Sequence, residues 1–232
     1  MKKGIYSCLL TWNALILSMF AVASSHATPR VAPKAQPNKE KQITVRIRNY
    51  ARMDSGILLK SEATANRILR EAGAETVWLV CFDGSTWSGD VACTNPPGPM
   101  DLTVNVLPFS RTEPFRHRED VFGCATEDGE YGFAGLAWIF YDPIKSFAIK
   151  RQLSFVRLLG HVFAHELGHM LLGSNSHSEI GLMRATWSRG EVRAADRAGL
   201  FFSASESSRI QKAVLARWQA DSRGVQTTQA QQ

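Results

Sequence analysis

The chain contains 232 residues, of which 44% are hydrophobic and 21% are charged, and its formal net charge is +6. This length suits one sizeable domain, or a domain with a small lobe, and the composition is ordinary for a globular protein. Because the basic residues are scattered, the charge gives only a general electrostatic bias and excludes a dedicated nucleic-acid-binding groove.

The first 27 residues have the layout of a secretory signal peptide. Lys2 and Lys3 precede an uncharged run over 5–23, and the small residues Ser25 and Ala27 precede the expected cleavage site. An uncleaved membrane anchor is the alternative, but polar residues interrupt the run, and no second apolar segment is long enough to span a bilayer. We therefore expect a secreted or periplasmic protein without stable membrane insertion. Cleavage would lower the net charge to +4, because it removes two lysines and no acidic residue.

The segments that follow predict one domain over 43–220. Residues 28–42 contain three prolines without apolar periodicity and predict a flexible leader, whereas the polar, glutamine-rich segment 221–232 predicts a disordered tail. Between them, the periodicity of apolar residues predicts, in chain order, a strand at 43–51, a helix at 55–73, strands at 76–82, 101–109 and 135–142, a long helix at about 152–172, and shorter helices at 191–199 and 207–218. Ser203 and Glu206 have the spacing of a capping box before the last helix. This order indicates an α/β (α+β) fold with a mixed sheet and helices on at least one face.

Three cysteines remain once Cys8 leaves with the signal peptide. An oxidising compartment favours a disulfide, and Cys81 and Cys93 enclose a short loop rich in glycine and serine. We therefore predict a disulfide between these two residues, which leaves Cys124 outside it.

Four of the six histidines lie within residues 161–177. His165 and His169 are four residues apart on the predicted long helix, so they project from one face, and Glu166 lies between them. This is the H-E-x-x-H motif, in which two imidazoles hold Zn²⁺ and the glutamate is the general base of a hydrolase. His161 is about 12 Å of helix rise from His169, so it is expected to be a structural or outer residue and not a ligand of the same ion.

The segment HELGHMLLGSNSHSEIGLM, residues 165–183, resembles the metzincin clan of zinc metallopeptidases, and most of all its matrixin-type members. Those carry H-E-x-x-H-x-x-G-x-x-H, then serine, then a methionine turn beneath the metal. The resemblance implies a zincin-like fold with a twisted sheet, an active-site helix and a small C-terminal helical lobe. It further implies that the edge strand, here 135–142, binds an extended peptide by strand addition. The expected site is Zn²⁺ held by His165, His169 and His177, with Glu166 as general base and Met183 in the turn.

The spacing departs from the family pattern. The glycine follows His169 by four residues where the family has three, and His177 follows it by eight where the family has six, so that Asn175 occupies the family's third-ligand position. A longer turn can absorb the two extra residues, because eight residues reach far beyond the distance needed.

Two alternatives stay open. In a gluzincin arrangement, Glu191 would complete the zinc site in place of His177. In a secreted binding module, the zinc would be structural, its fourth position would be closed and Glu166 would have no role. The main expectation is a secreted, monomeric zinc metalloendopeptidase that acts on protein or peptide substrates, with an upper subdomain over 43–173 and a lower subdomain over 174–220.

Overall fold

The computed structural model describes residues 41–108, 121–126, 135–173 and 176–229. The predicted signal peptide, most of the predicted leader, Asn175 and residues 230–232 of the predicted tail lie outside these ranges. None of the helices in the described ranges is long and apolar enough to cross a membrane. The division into upper and lower subdomains stays a prediction.

The described chain begins with alternating strands and helices, continues with three consecutive strands and ends in four helices. In chain order they are β1 (Gln42–Asn49), α1 (Ser55–Glu71), β2 (Glu75–Phe82), α2 (Val91–Thr94), β3 (Asp101–Leu107), β4 (Gly123–Thr126), β5 (Leu136–Phe140), α3 (Tyr141–Arg151), α4 (Phe155–Leu172), α5 (Arg189–Asp196) and α6 (Ala204–Gln229).

The described strands form one mixed sheet in the order β2-β1-β3-β5-β4. The first four in this order run parallel to one another, and β4 is antiparallel to β5. Alternation in β1 places Ile43, Val45 and Ile47 in the core with no exposed surface, where α1 and α4 cover the sheet. This arrangement confirms the predicted α+β class with a mixed sheet.

The prediction that 135–142 is the edge strand was wrong. Strand β5 pairs with β3 on one side and with β4 on the other, so β4 is the edge strand of the described sheet. Sequence analysis missed β4 because its four residues, Gly-Cys-Ala-Thr, are too few to show alternation, and Gly and Ala have low strand propensity. The edge of the sheet that lies nearest the histidine helix is therefore a strand that periodicity did not detect.

A second missed element is α3, which starts at Tyr141, inside the strand predicted over 135–142. Pro143 falls in its first turn, where a missing N–H breaks no helical hydrogen bond, so proline permits a helix start there. Gln152 then adopts a positive φ of 53° and ends α3. The predicted long helix consequently begins later than expected, at Phe155, after Ser154 accepts a hydrogen bond from the backbone of Arg157.

The C-terminal end agrees with the prediction in one respect and differs in another. The capping box is present, since the Ser203 N–H donates to Glu206 at 2.7 Å and the Glu206 N–H donates to the Ser203 hydroxyl at 3.3 Å. The helix that it opens continues to Gln229, so residues 221–229 are helical where a disordered tail was expected. The first turns of α6 bury Ile210 and Val214, and a helix that packing has already started can continue beyond its packed part.

The predicted disulfide between Cys81 and Cys93 is present, with the two Cα atoms 5.3 Å apart. It ties the end of β2 to the short helix α2, which Asp90 caps by accepting a hydrogen bond from the Ala92 N–H. Cys124 lies outside the disulfide, as predicted, and is buried on β4.

Candidate metal centre

Helix α4 brings two histidines of the H-E-x-x-H motif together. The Nε2 atoms of His165 and His169 are 3.0 Å apart, and both side chains are buried. Two ligands of a tetrahedral zinc, each about 2.0–2.1 Å from the ion, are separated by roughly 3.4 Å. The helix therefore holds the pair near the spacing that a shared ion requires.

His177 completes the group from beyond the end of α4. Gly173 ends the helix with a φ of 91°, and the chain returns so that the His177 ring centroid lies 4.6 Å from that of His169. The ligand atoms of the three histidines lie within 4.8 Å of one another. Among the described residues, the buried Nε2 atom of His177 has no hydrogen-bond partner. The three residues predicted as ligands thus form a triad that can hold a metal ion.

Hydrogen bonds on the far side of each ring orient the two helix histidines. The Nδ1 atom of His165 is 2.7 Å from the Leu182 carbonyl, and that of His169 is 2.9 Å from the Ser176 hydroxyl. A carbonyl can only accept, so the Nδ1 atom of His165 carries the proton and its Nε2 atom keeps the lone pair for a metal. Such outer partners fix ring orientation and raise ligand basicity.

Burial keeps these imidazoles neutral. Loss of solvent lowers the pKa of His165 to about 3 and that of His169 to about 2, and it also lowers the pKa of His177. The hydrogen bond that His165 donates to the Leu182 carbonyl opposes the lowering of its pKa, and the neighbouring histidines add to the lowering of the His169 pKa. Neutral imidazole is the form that binds a metal, so the triad is ready for a cation at neutral pH.

Glu166 lies next to the triad with its carboxyl group fully buried. Within the described residues neither carboxyl oxygen has a hydrogen-bond partner, and burial raises the pKa of Glu166 well above its ordinary value. A nearby cation would favour the charged carboxylate instead. A buried acid without partners costs stability, which a metal and a polar substrate group beside it would offset.

Sequence analysis missed the residue that makes room for this carboxyl group. A Cβ atom on Gly123 would lie 2.8 Å from Glu166 Oε1 and 2.8 Å from the Trp138 carbonyl oxygen. No side chain fits there without movement, so the edge strand β4 approaches Glu166 through bare backbone. Nothing in the local pattern around Gly123 signals this, because the contact joins residues far apart in the chain.

The chain after His177 forms a tight turn, Ser178–Arg184, which we call the 178–184 turn. The Ser178 N–H donates to the Met183 carbonyl at 3.0 Å, and the Arg184 N–H donates to that of Gly181 at 3.2 Å. Met183 is fully buried, and a Cβ atom on Gly168 would lie 2.7 Å from its sulfur. The structure therefore places Met183 against the helix turn that precedes His169.

Glu191, the third ligand in the gluzincin alternative, has other partners. Its carboxylate accepts hydrogen bonds from the N–H groups of Ser188 at 2.6 Å and Gly181 at 3.2 Å, and pairs with Arg184 at 3.3 Å. Burial alone would raise the pKa of Glu191, but these hydrogen bonds and the arginine charge lower it below its ordinary value. Among the described residues, His177 and not Glu191 converges with the two helix histidines.

His161 is a buried histidine outside the triad, as predicted. Its Nδ1 atom lies 2.7 Å from the Arg157 carbonyl oxygen, within its own helix. Burial lowers its pKa to about 4, and the nearby Arg67 charge contributes to this shift. His161 therefore remains neutral at physiological pH and helps to pack the helix.

Known proteins give no independent assignment for this site. No family model matches the chain, and comparison with curated proteins finds no significant match. A function for this site must therefore be argued from the H-E-x-x-H motif, the resemblance to metzincins and the geometry of the histidine triad.

Proposed function

We propose that the protein is a secreted zinc-dependent endopeptidase. One observation carries the proposal: three neutral imidazoles converge within 4.8 Å, and the glutamate that directly follows His165 is buried and without a hydrogen-bond partner among the described residues. When bound to His165, His169 and His177, zinc would lower the pKa of a coordinated water toward about 7 and polarise a carbonyl group. The tetrahedral preference of zinc and the neutral nitrogen donors support zinc over harder cations.

Glu166 supplies the proton transfers in this proposal. Its carboxylate accepts a proton from the attacking water and then donates it to the leaving amine, which is the role of the glutamate in H-E-x-x-H. The buried environment strengthens both steps, because it excludes competing solvent around the carboxyl group. The bare backbone at Gly123 leaves space for this group beside the edge strand, so we propose that the substrate peptide runs along β4.

The disulfide and the N-terminal sequence support the proposed location. Cys81 and Cys93 form a disulfide, and such bonds persist in oxidising compartments. The uncharged run after Lys2 and Lys3 has the layout of an export signal. A mature N-terminus determined on exported protein would test the expected cleavage after Ala27.

The decisive test compares wild type with Glu166→Gln on casein and a broad peptide library, with bound zinc measured in both. We expect Glu166→Gln to lose about 10²–10⁴-fold in rate and to keep its zinc, because Glu166 is a base and not a ligand. Glu62→Gln is the matched control, since Glu62 is another buried glutamate, on helix α1. That variant should retain both zinc and activity.

Two outcomes would overturn the proposal. Equal hydrolysis by wild type and Glu166→Gln would remove Glu166 from the reaction. A fully zinc-loaded wild type that cleaves nothing across the library would favour the secreted binding module, in which the metal is structural.

A further inference from the structure

The carbonyl of Leu182 accepts two side-chain hydrogen bonds at once. His165 Nδ1 lies 2.7 Å from this oxygen, and Trp187 Nε1 donates to it at 2.9 Å. The indole and the imidazole rings also meet edge to face, with centroids 6.0 Å apart. The position of one backbone oxygen on the 178–184 turn thus fixes the orientation of a metal ligand on α4.

Glu191 holds that turn in place. Its Oε1 atom accepts from the Gly181 N–H at 3.2 Å, and both carboxylate oxygens lie within 3.4 Å of Arg184 Nη1. Gly181 and Arg184 flank Leu182 and Met183, so the carboxylate ties both ends of the segment that faces α4. The same carboxylate is the N3 group of the capping box of α5, where it accepts from Ser188.

We infer that Glu191 is a positioning residue for the metal ligand His165 and acts through the 178–184 turn. The inference rests on the metal-binding part of the proposed function and not on hydrolysis. If the turn loosens, the Leu182 oxygen moves away from the Nδ1 proton, and His165 loses the partner that sets its tautomer and ring angle. Loss of such an outer partner typically costs about 10–100-fold in metal affinity.

A glutamine at this position separates the two roles of Glu191. Glutamine is accepted at the N3 position of a capping box, so its one oxygen can retain the short bond from the Ser188 N–H. Its amide group would then face the Gly181 N–H and the Arg184 guanidinium, which are donors that it cannot satisfy. Glu191→Gln therefore keeps the helix cap and releases the turn.

The chain offers a matched control in the second capping box. Ser203 and Glu206 reproduce the cap with N–H to carboxylate and N–H to hydroxyl distances of 2.7 and 3.3 Å, against 2.6 and 3.4 Å at Ser188 and Glu191. Glu206 lies in the first turn of α6, and within the described part of the chain its carboxylate bonds to Ser203 and not to the 178–184 turn. Glu206→Gln should therefore report the effect of a glutamine cap without any effect on the metal ligand.

The experiment measures zinc affinity by competition with a chromophoric chelator for the full mature chain and its variants. We expect Glu191→Gln to bind zinc about tenfold more weakly than wild type, and Arg184→Gln to weaken binding by less. Arg184 is the second variant because its side chain is 39% exposed, so its replacement leaves the fold intact. Glu206→Gln should bind zinc like wild type, whatever its melting temperature.

A spectroscopic readout separates positioning from general destabilisation. In zinc-loaded protein with ¹⁵N-labelled histidine, the His165 Nδ1 proton should exchange slowly in wild type and Glu206→Gln and faster in Glu191→Gln. Equal zinc affinity and equal exchange in Glu191→Gln and Glu206→Gln would overturn the inference and leave the proposed function intact. A wild type that takes up no zinc would overturn the metal centre, and the inference with it. A wild type that binds zinc without hydrolysis would overturn the endopeptidase proposal alone.

Discussion

The two halves of helix α4 carry buried histidines with opposite surroundings. His161, in the N-terminal half, bonds to the Arg157 carbonyl one turn earlier in the same helix. His165, one turn later, bonds to Leu182, which is 17 residues away in the chain. Both side chains are fully buried, so burial alone does not place a histidine in the triad. The difference at His165 is the 178–184 turn, whose Leu182 carbonyl orients the ring that meets His169 and His177.

The two halves of α4 also differ in what their glycines, Gly160 and Gly168, pack against. Gly160 lies against α1, where an added Cβ would approach Thr64 Cβ to 2.5 Å and the Ser61 carbonyl oxygen to 2.7 Å. Gly168 lies against the turn instead, where an added Cβ would meet Met183 and Phe202. One half of the helix therefore packs closely against helix α1, and the other half packs against the turn that follows His177.

The largest expected effect is on zinc affinity, when the buried histidine in each half of α4 is replaced in turn. His165→Gln should weaken zinc binding by more than about 100-fold, beyond the range for outer partners, because it removes a direct ligand. His161→Gln should leave zinc affinity within a factor of about two and lower the free energy of unfolding by about 1–2 kcal/mol, through lost packing and a lost hydrogen bond. Metal titration and urea unfolding of both variants measure these two effects.

The division of α4 would be wrong if both substitutions removed zinc equally. Zinc loss in His161→Gln alone would mean that the metal lies nearer the N-terminal half than the triad indicates. A third variant, His177→Ala, should lose zinc affinity as His165→Gln does, and that result would show that the segment after Gly173 supplies a ligand.

The next largest expected effect distinguishes Gly160 from Gly168 by their influence on zinc affinity. Gly160→Ala and Gly168→Ala should each destabilise the fold by about 1–3 kcal/mol, because overpacking exceeds the gain of about 1 kcal/mol that alanine gives a helix. Gly168→Ala alone should also reduce zinc affinity, by about tenfold, since the added methyl displaces Met183 and with it the turn that holds His165. Equal zinc affinity in the two variants would show that the turn adjusts without moving the ligand.

The part of the site that local spacing encodes was predictable from the sequence. His165, His169 and Glu166 lie on one helix, and a separation of four residues determines which face they share. His177 was predicted only through the resemblance, because no rule of local geometry selects a histidine beyond a glycine turn. The hydrogen bonds of Glu191 with Gly181 and Arg184 were missed, since they hold a turn that periodicity does not describe.

Prediction of the fold succeeded and failed for the same reason as prediction of the site. The alternation in β1 and the helical spacing of α1 were sufficient to predict both elements, because each buries a continuous apolar face. Strand β4 was not predictable, since Gly123 and its neighbours form a strand only by pairing with β5. Its position at the edge, close to Glu166, follows from tertiary contacts that a single sequence does not display.

The smallest expected effect concerns a buried glutamate in the region that packs against the N-terminal half of α4. Burial raises the pKa of Glu62, on helix α1, to about 7 from an ordinary value of 4.5. In the folded state the carboxyl group therefore holds its proton at pH values where the unfolded chain has lost it. The contribution of Glu62 to the free energy of unfolding should fall as pH rises from about 4.5 to 7 and then stay constant, because ionising a buried acid disfavours the fold. The buried histidines, whose pKa values are lowered, make stability rise over the same range, so the Glu62 contribution is measured as the difference between wild type and Glu62→Gln, which share those histidines. Glu62→Gln mimics the protonated form and should not show this loss, so it should be more stable than wild type by about 1–2 kcal/mol at pH 8 and equal to it at pH 4. For a domain of this size that corresponds to roughly 3–6 °C in Tm, measurable by thermal unfolding at the two pH values.

The zinc affinity of Glu62→Gln should equal that of wild type, because Glu62 lies on helix α1 and not on the 178–184 turn. A stability difference of the same size at pH 4 and pH 8 would show that the gain comes from packing and not from the charge of Glu62.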